Sequence, residues 1–425
     1  MLRDTYPFPA IRINLSELTA VVVPWSAAFM ALSSLVDFPI QISFGQFSGL
    51  AAITVSFFLS GSLLAVLLAV KQPCSMPSVW PFRSFVIFLA FSLLWTTALM
   101  NGIQNAIVAG AMLVFMSIGA SEARANPSFV RTTERLVHGC TVFACVIYSI
   151  SLVLYGAGSN DIFGARGFAL FVLPGIALHL ARWRYGRMSG LIWATIFTTL
   201  VAASLSRLAL GIALVMFLLS QWSAQSFRKI VRNLLLLTFV LASIYAALTY
   251  FDALRERFVT GDISLHLGDI GINVSGRINF WKVAVESFLE SPWFGKGAGS
   301  TEALIEAYFL DIRHPHNDYI RIAHDLGIVG LVLWIVGIVS LLIRLFKNWR
   351  WTDRFYREEG PFQLFAVLLI VCYTLEMTME NAMVYIFVCG PIGLAVGAAI
   401  GTMGRVRAQR AAKHSRTSQV VPCAS

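Results

Sequence analysis

The sequence predicts an all-α polytopic membrane protein with about 12 transmembrane helices and one large, partly helical loop before the tenth span. Of the 425 residues, 57% are hydrophobic and 13% are charged, whereas soluble domains average roughly 25% charged residues. The mean hydropathy is +0.74. The apolar residues also form runs of about 20, the length with which an α-helix crosses a bilayer. Composition therefore excludes a soluble globular domain.

Twelve apolar runs define the predicted spans. The runs before the large loop are 18–36, 47–70, 82–100, 103–121, 136–156, 167–183, 189–205, 207–222 and 231–250, and those after it are 325–346, 361–380 and 383–403. The seventh and eighth come from a single run, 190–222, which is too long for one span and is divided by a polar turn at 204–207. The first run lacks a small-residue cleavage site, so we expect it to remain as an anchor.

The positions of Lys and Arg orient these spans, because short cytoplasmic loops accumulate cations. With the N-terminus inside, 23 of the 32 Lys and Arg residues fall in inside segments. The resulting segments are a cytoplasmic N-terminus at 1–17, transmembrane regions at 18–250 and 325–403, an outside loop at 251–324 and a basic cytoplasmic tail at 404–425. This topology also accounts for the net charge of +10, so no nucleic-acid partner is predicted.

The six cysteines do not form a metal or disulfide pattern. Four lie in predicted spans, one lies in an inside loop and one in the tail, namely Cys140, Cys145, Cys372, Cys389, Cys74 and Cys423. The outside loop contains no cysteine. The sequence therefore predicts neither a disulfide framework nor a cysteine metal site there.

Two arginines fall on the side of the membrane that the charge pattern leaves poor in cations. Arg166 stands where the sixth span begins, and Arg207 follows the turn between the seventh and eighth spans. An Arg near a membrane core is costly, so such residues usually have a partner or a function. Together they indicate an anionic ligand near the outer face, and the alternative is snorkelling to lipid headgroups.

The outside loop contains its own helices. Residues 277–290 place Ile278, Trp281, Val285 and Phe288 at helical spacing, which predicts an amphipathic helix on the membrane face. A second helix is predicted at 301–310. Between them, the segment 294–300 carries three glycines at alternate positions, which indicates either a flexible joint that lets the backbone approach a ligand or a plain loop.

Three of the seven histidines, His314, His316 and His324, lie in the stretch 312–330 that leads from the loop into the tenth span. Asn317 or Asp318 is suited to cap a helix that starts there, so His316 is expected to precede a helix N-terminus that favours an anion. His314, His316 and Asp318 alternate and could hold zinc, but a helix starting near residue 317 would not point all three one way. No metal is therefore predicted, and His324 is interpreted as an interface residue.

At these residues the sequence resembles the O-antigen ligase and O-antigen polymerase superfamily of membrane glycosyltransferases. The resemblance consists of His316 and Asn317, nine further residues and then Gly327 and Gly330, as in the family signature HN-x9-GxxG. Supporting features are Ser206-Arg207, Gly276-Arg277 followed by Trp281, and the segment PWFGKGAGS. The similarity is strongest over residues 200–335. Before that stretch only Arg166 and the hydropathy profile agree.

The resemblance implies transfer of a glycan from undecaprenyl pyrophosphate to an acceptor glycan or lipid A core, without cofactor or metal and with inversion. On this reading His316 is the catalytic base, and Arg207, Arg277 and Arg166 bind the pyrophosphate. His314, Asn317, Gly327 and Gly330 support the site. The resemblance also implies the bacterial inner membrane, an active site that faces the periplasm, cytoplasmic termini and contacts with other polysaccharide-assembly proteins.

Several alternatives stay open at this point. Within the superfamily the chain could be a ligase, an O-antigen or exopolysaccharide repeat-unit polymerase, or a protein-glycosylating relative. In another class, twelve spans are common in transporters and flippases, and Glu376 with Glu380 could relay protons. Those two glutamates lie four residues apart near the outer end of a predicted span, where we favour pairing with an arginine over a catalytic role.

Overall fold

The computed structural model describes residues 80–160, 164–221, 277–309 and 314–418, together with pieces at 22–25, 265–267 and 270–272 and the positions 28, 32, 162, 231, 235, 238 and 312. Eleven α-helices have both ends within these residues. They are α1 Trp80–Phe91, α2 Leu99–Ala125, α3 Ser128–Tyr155, α4 Ala165–Arg184, α5 Met188–Ala203, α6 Arg207–Gln221, α7 Arg277–Phe288, α8 Ser300–Tyr308, α9 Asp318–Phe355, α10 Gly360–Glu376 and α11 Ile386–Ser418. A short antiparallel hairpin pairs β1 Leu265–Leu267 with β2 Ile270–Ile272.

Five of these helices are long and apolar enough to cross a membrane: α2, α3, α4, α9 and the Val388–Ala412 part of α11. Four shorter apolar helices accompany them, namely Trp80–Leu94, α5, α6 and α10. The chain is therefore a largely helical, multi-pass membrane protein, as predicted. The total of about 12 spans stays a prediction, because the expected spans at 18–36, 47–70 and 231–250 lie mostly outside the described residues.

The predicted helix ends are confirmed where a local polar turn interrupts the apolar run. The turn between α5 and α6 falls at 204–206, where Ser204 Oγ donates to the Val201 carbonyl and Leu205 takes a φ of 56°. Two predicted ends are wrong. The span expected at 82–100 ends as α1 at Phe91, and the one expected to reach residue 380 ends as α10 at Glu376.

Helix α9 contains a break that the sequence analysis did not predict. Gly327 has a φ of 68° and a ψ of −171°, so the helical hydrogen-bond ladder stops there. The segment 292–297 makes four backbone hydrogen bonds to α9 around the break. They are Ile328 N to Pro292 O (2.8 Å), Val329 N to Trp293 O (3.2 Å), Lys296 N to His324 O (3.0 Å) and Gly297 N to Asp325 O (2.8 Å). The helix that begins at Asp318 is therefore interrupted at Gly327, where the tenth span begins.

Close packing explains the glycines on both sides of this joint. A Cβ on Gly327 would lie 2.2 Å from the Trp293 carbonyl oxygen, and one on Gly295 would lie 2.4 Å from the Asp325 carbonyl. On its other side the segment meets the turn after α1, where Thr96 Oγ1 donates to the Ala298 carbonyl (2.7 Å). The expectation of a flexible joint that approaches a ligand is thus replaced by a packed joint between α1, α2 and α9.

His324 and Asp325 fasten α7 and α8 to the same end of α9. The Asp325 carboxylate accepts from the backbone amides of Gly299 (2.9 Å) and Thr301 (2.8 Å), so it caps the N-terminus of α8. The buried His324 ring contacts Ser287 Oγ on α7 (3.1 Å) and Thr301 Oγ1 on α8 (2.8 Å). His324 is an interface residue, as predicted.

Helix α7 forms where it was predicted, and one of its faces packs against the protein. Its buried residues are Phe280, Ala284 and Ser287, whereas Val285, on the apolar side that was predicted to lie on the membrane, is 42% exposed. Contact of that side with the membrane stays a prediction. Phe280 stacks edge-on against Phe309 with ring centroids 4.7 Å apart. The polar Ser287 is buried because it contacts His324, a requirement that apolar periodicity cannot reveal.

A stripe of glycines packs α11 against α2. Gly393, Gly397 and Gly401 recur every fourth residue, and a Cβ on each would lie 2.0–2.5 Å from a carbonyl oxygen of Met112, Met116 or Ala120. Small residues at this spacing let membrane helices approach closely. The pairing fixes the first turns of α11, which carry part of the candidate site.

Candidate active site

Two loops meet where α9 begins. One is the segment 314–317 that precedes α9, and the other is the turn 377–385 between α10 and α11. The Asp318 amide donates to the Met377 carbonyl (2.9 Å), and the Met383 amide donates to the buried Asp318 carboxylate (2.8 Å). Arg321, one turn further along α9, pairs with the same carboxylate at 2.9 Å. These contacts bring residues more than 60 positions apart into one site.

Local sequence sets the position of His316. Asn317 caps α9 by accepting from the Tyr319 and Ile320 amides (3.0 and 3.1 Å), as predicted for this residue. Trp281 on α7 donates its indole N–H to the Pro315 carbonyl (2.8 Å). Between these anchors His316 takes a φ of 54°, a left-handed conformation that is uncommon for residues other than glycine. Such strain persists only where the surroundings impose it.

Glu380 is the hub of the site. Its carboxylate pairs directly with Arg166 on α4, lies 3.7 Å from an Arg277 terminal nitrogen on α7, and lies 3.9 Å from His316 Nδ1. Both arginines also donate to the Met379 carbonyl, at 3.2 Å from Arg166 and 2.7 Å from Arg277. The structure therefore joins three of the four predicted catalytic and pyrophosphate-binding residues around one carboxylate.

Asn381 is the second partner of His316. Its Nδ2 lies 3.0 Å from His316 Nδ1, while its Oδ1 is buried without a hydrogen-bond partner among the described residues. In this orientation the amide donates to Nδ1, so a neutral imidazole carries its proton on Nε2. A half-turn of the amide lets Oδ1 accept from Nδ1–H, which leaves the Nε2 lone pair available. The buried amide can thus select either tautomer of His316.

Burial keeps His316 neutral. Desolvation, together with the nearby Arg166 and His314, lowers the pKa of its imidazole to about 4. The ring is nevertheless 29% exposed, so it is accessible to a substrate. An imidazole that stays unprotonated at neutral pH can accept a proton.

His314 belongs to a separate buried network. Its Nδ1 lies 3.8 Å from Glu302 on α8, and Glu302 also lies 3.7 Å from Arg321 and accepts from Asn105 Nδ2 (3.1 Å). Because His314 and His316 face different carboxylates, they do not converge. Among the residues that the structure describes, no group of three or more His, Cys, Asp or Glu is arranged to hold a metal.

An apolar cavity of about 520 Å³ opens from this polar cluster into the membrane-spanning region. Its polar end is formed by Arg166, His316, Glu380 and Asn381. Its walls come from α3, α4, α10 and α11, with Leu136, Leu170, Leu369, Val388 and Ile392 among the lining residues. Deeper on the α10 wall, Cys372 Sγ donates to the buried Glu376 (3.1 Å). A charged end on an apolar groove matches an amphipathic ligand.

A protein-family model described as O-Antigen ligase matches residues 188–335. This match supports the O-antigen ligase and polymerase superfamily. Among curated proteins, none matches it. The matched region begins with α5 and ends within α9 after its break, so it contains Arg207, Arg277, His316, Gly327 and Gly330.

Arg207 and Gly330 lie within the matched region but away from the Glu380 hub, whereas Arg166 lies before the matched region. Arg207 begins α6 at the same end of the bundle and is half-buried, but the ion pairs that define the Glu380 hub do not include it. Gly330 lies on α9 one turn after the break, against the Leu326 side chain. Arg166 stands outside the matched region and yet makes the direct pair with Glu380.

Asn381 was not predicted as a site residue, and Glu380 was predicted only as a pairing partner for an arginine. Glu380 was placed on a helix with Glu376, but α10 ends at Glu376 and Glu380 lies in the following turn. One signal was available, because Glu380-Asn381 is an adjacent polar pair inside an otherwise apolar stretch. Such a pair near a membrane end is costly unless both members have partners.

Proposed function

We propose that this membrane enzyme of the O-antigen ligase and polymerase type moves an oligo- or polysaccharide from undecaprenyl pyrophosphate to an acceptor hydroxyl. One observation carries the proposal. Arg166, Arg277 and His316 meet at Glu380, at the polar end of an apolar cavity. The cavity supplies a place for the polyprenyl chain, the arginines face its pyrophosphate, and His316 faces the acceptor.

The arginines supply the charge stabilisation that the reaction needs. A pyrophosphate leaving group gains negative charge as its bond to the sugar breaks, and the planar guanidinium binds phosphate oxygens with two parallel hydrogen bonds. The Arg166 side chain is 43% exposed and the Arg277 side chain is 14% exposed. Each guanidinium can therefore give up some of its contact with Glu380 and bind phosphate oxygens instead. By the family resemblance Arg207 adds a third cation from the start of α6.

The chemical step is a single displacement. The acceptor oxygen attacks the anomeric carbon, the bond from that carbon to the pyrophosphate oxygen breaks, and the carrier leaves with the bonding electron pair. The acceptor proton passes to Nε2 of His316, which is neutral and therefore competent as a base. Attack opposite the leaving group inverts the anomeric centre.

The partners of His316 suit the imidazolium that this step forms. With the amide turned so that Oδ1 faces the ring, Asn381 accepts from Nδ1–H and holds Nε2 as the reacting nitrogen. Glu380 Oε2 lies 3.9 Å from the same Nδ1 and stabilises the positive charge as it develops. No metal is needed in this scheme, and the proposal uses none.

The proposed location is the bacterial inner membrane, with the site facing the periplasm and both termini in the cytoplasm. The distribution of Lys and Arg supports this orientation. Other polysaccharide-assembly proteins are proposed neighbours, because the donor must be delivered to the same membrane face.

Reconstitution tests the function directly. Purified protein in lipid vesicles is incubated with an undecaprenyl-pyrophosphate glycan and either lipid A core or a second carrier-linked repeat unit. Glycan on lipid A core identifies a ligase, whereas longer carrier-linked chains identify a repeat-unit polymerase. Absence of both products, in protein shown to be folded, contradicts the proposal.

A further inference from the structure

Glu376 is a buried carboxyl group that the proposed reaction does not use. It is the last residue of α10, it is 7% exposed, and it lines the apolar cavity. Its Oε1 accepts from Cys372 Sγ at 3.1 Å. The second carboxyl oxygen, Oε2, faces the cavity and has no hydrogen-bond partner among the described residues. A buried polar atom without a partner calls for one, and a ligand in the cavity can supply it.

The surroundings of Glu376 favour a neutral carboxyl group. Arg166 and Arg277 pair with Glu380 instead, and within the part of the chain that the structure describes no Lys or Arg pairs with Glu376. An ionised carboxylate without a cation is costly in an apolar environment. Because the Cys372 thiol donates to Oε1, the proton of the neutral carboxyl group belongs on Oε2. Glu376 therefore presents an O–H donor to the cavity.

The position of this donor in the cavity matches one particular part of a lipid pyrophosphate. Arg166 and Glu380 lie at the polar end, whereas Glu376 lies on the α10 wall, between that end and the apolar Leu369. A carrier whose chain follows the apolar walls has one phosphate next to the sugar and one next to the lipid. The arginines face the sugar-side phosphate at the polar end. Glu376 then lies at the level of the lipid-side phosphate.

We infer that protonated Glu376 binds the lipid-side phosphate of the carrier, with Oε2–H donating to a phosphate oxygen. The inference rests on the proposed function, because it takes its ligand from that reaction. Protonation is required, since a carboxylate at this place repels the phosphate, whereas a donor to a charged acceptor forms one of the stronger hydrogen bonds. The lipid-side phosphate keeps its bonds during transfer, so this contact is equal before and after the reaction. Glu376 therefore serves recognition of the carrier.

Binding of the carrier without its glycan tests this role. Undecaprenyl phosphate, which has only the lipid-side phosphate, and undecaprenyl pyrophosphate are each titrated into the full-length protein in detergent. Glu376→Leu removes the donor at similar volume and is expected to weaken binding of both lipids about ten-fold. Glu376→Gln keeps a neutral donor and is expected to bind both as the wild type does. Thr374→Val is the matched control on the same helix, because its hydroxyl bonds the Ile370 carbonyl (3.0 Å) away from the cavity wall. It is expected to change nothing.

Two further measurements separate Glu376 from the arginines and from a structural role. Arg277→Gln is expected to weaken binding of undecaprenyl pyrophosphate more than that of undecaprenyl phosphate, because Arg277 faces the sugar-side phosphate. In transfer assays Glu376→Leu is expected to raise the donor KM about ten-fold and to leave kcat unchanged, as for any contact that is equal in the ground state and the transition state. Glu376→Gln is expected to restore the wild-type KM.

Two results would overturn the inference. One is equal affinity of the wild type and Glu376→Leu for both carrier lipids. The other is a loss in Glu376→Gln as large as in Glu376→Leu, which would show that the ionised carboxylate is needed. If Glu376→Leu does not fold, Glu376→Gln decides alone, because wild-type affinity supports the inference and a ten-fold loss contradicts it. Failure of the proposed function gives a different result, since folded wild-type protein would then bind neither carrier lipid.

Discussion

His316 acquires its chemical character from three residues that reach it from other parts of the chain. Burial and Arg166 lower the pKa of the ring, Asn381 contacts Nδ1, and a Glu380 oxygen lies 3.9 Å from the same nitrogen. A general base needs a fixed tautomer as well as a suitable pKa. Because Asn381 is buried and keeps one amide atom unsatisfied, it is the residue best placed to fix that tautomer.

Replacement of Asn381 tests this role. Asn381→Ala removes a hydrogen bond worth ~1–3 kcal/mol when its partner stays buried, so kcat is expected to fall about 10- to 100-fold. Asn381→Asp keeps an acceptor toward Nδ1–H and adds negative charge, which raises the pKa of His316. It is expected to restore part of the rate and to move the acid limb of the pH profile upward. Equal rates and profiles in both variants would show that Asn381 only fills space.

The pH dependence of the wild-type enzyme follows from the low pKa of His316. In the proposed mechanism the unprotonated ring is the active form, and burial together with Arg166 and His314 lowers its pKa to about 4 from the ordinary 6.5. The rate constant kcat/KM, which reports the free enzyme, is therefore expected to stay level from pH 7 to about pH 5 and to fall only below that. An acid limb near pH 6.5 in transfer assays would contradict this environment for His316.

The donor KM of arginine variants distinguishes binding of pyrophosphate from simple pairing with Glu380. Arg166→Gln or Arg277→Gln is expected to raise the donor KM about 10- to 100-fold, the effect of one charge-assisted hydrogen bond of ~1.5–3 kcal/mol. That loss should persist in a Glu380→Gln background. If Arg166 merely neutralises Glu380, the double variant will instead lose no more than Glu380→Gln alone.

Matched controls accompany these variants. Arg131→Gln, an exposed arginine at the other end of α3, should leave transfer unchanged.

Arg207→Ala is expected to abolish transfer on the strength of the family resemblance, and membrane insertion should remain normal in all of these proteins. A normal rate for Arg207→Ala would remove this residue from the site.

Among the single elements, the sequence predicted those helix ends that are determined by residues close by in the chain. The Asn317 cap and the turn before α6 each depend on residues adjacent in the chain, so pattern and turn chemistry found both. The break at Gly327 escaped prediction because its new hydrogen-bond partners lie 28 or 36 residues earlier, in the segment 292–297. The end of α10 was misplaced for a similar reason, since the Met377 carbonyl is taken up by the Asp318 amide across the site.

Because α9 and the segment 292–297 are closely packed, we expect one added methyl group at Gly327 to destabilise the protein. Gly327→Ala sets a Cβ against the Trp293 carbonyl and forces a left-handed residue, which costs ~1–2 kcal/mol before any clash is counted. The thermal unfolding midpoint in detergent is expected to fall by several degrees, together with transfer activity. Gly110→Ala, a helical glycine on α2 with no atom within 4 Å of the new Cβ, is the control and should not destabilise. Equal midpoints in the two variants would contradict the packed joint.

In the molecule as a whole, two closely packed helix contacts bring the residues of the site together. The glycine stripe fixes α11 on α2, and the packed joint fixes α7 and α8 on α9, so residues from positions 166 to 381 meet at one membrane face. The apolar cavity then lies between α3, α4, α10 and α11, below that meeting point. Hydropathy predicted apolar helices, but it could not say which of them enclose the groove, because the apolar content of a helix does not determine which helices are its neighbours.

The groove makes the length of the donor's lipid a measurable variable. Leu170→Trp fills part of the cavity wall on α4 and should raise the KM for an undecaprenyl donor roughly ten-fold, equivalent to ~1.4 kcal/mol or about two buried methylenes. A donor with the same glycan on a two-isoprene lipid should be affected far less, because its chain ends before the filled region. Val153→Trp, at a position 83% exposed on α3, adds the same ring outside the cavity and should change neither KM. If Leu170→Trp raises the KM for both donors equally, the lipid does not occupy this groove. The carrier must then approach Arg166 and His316 from another side of the bundle.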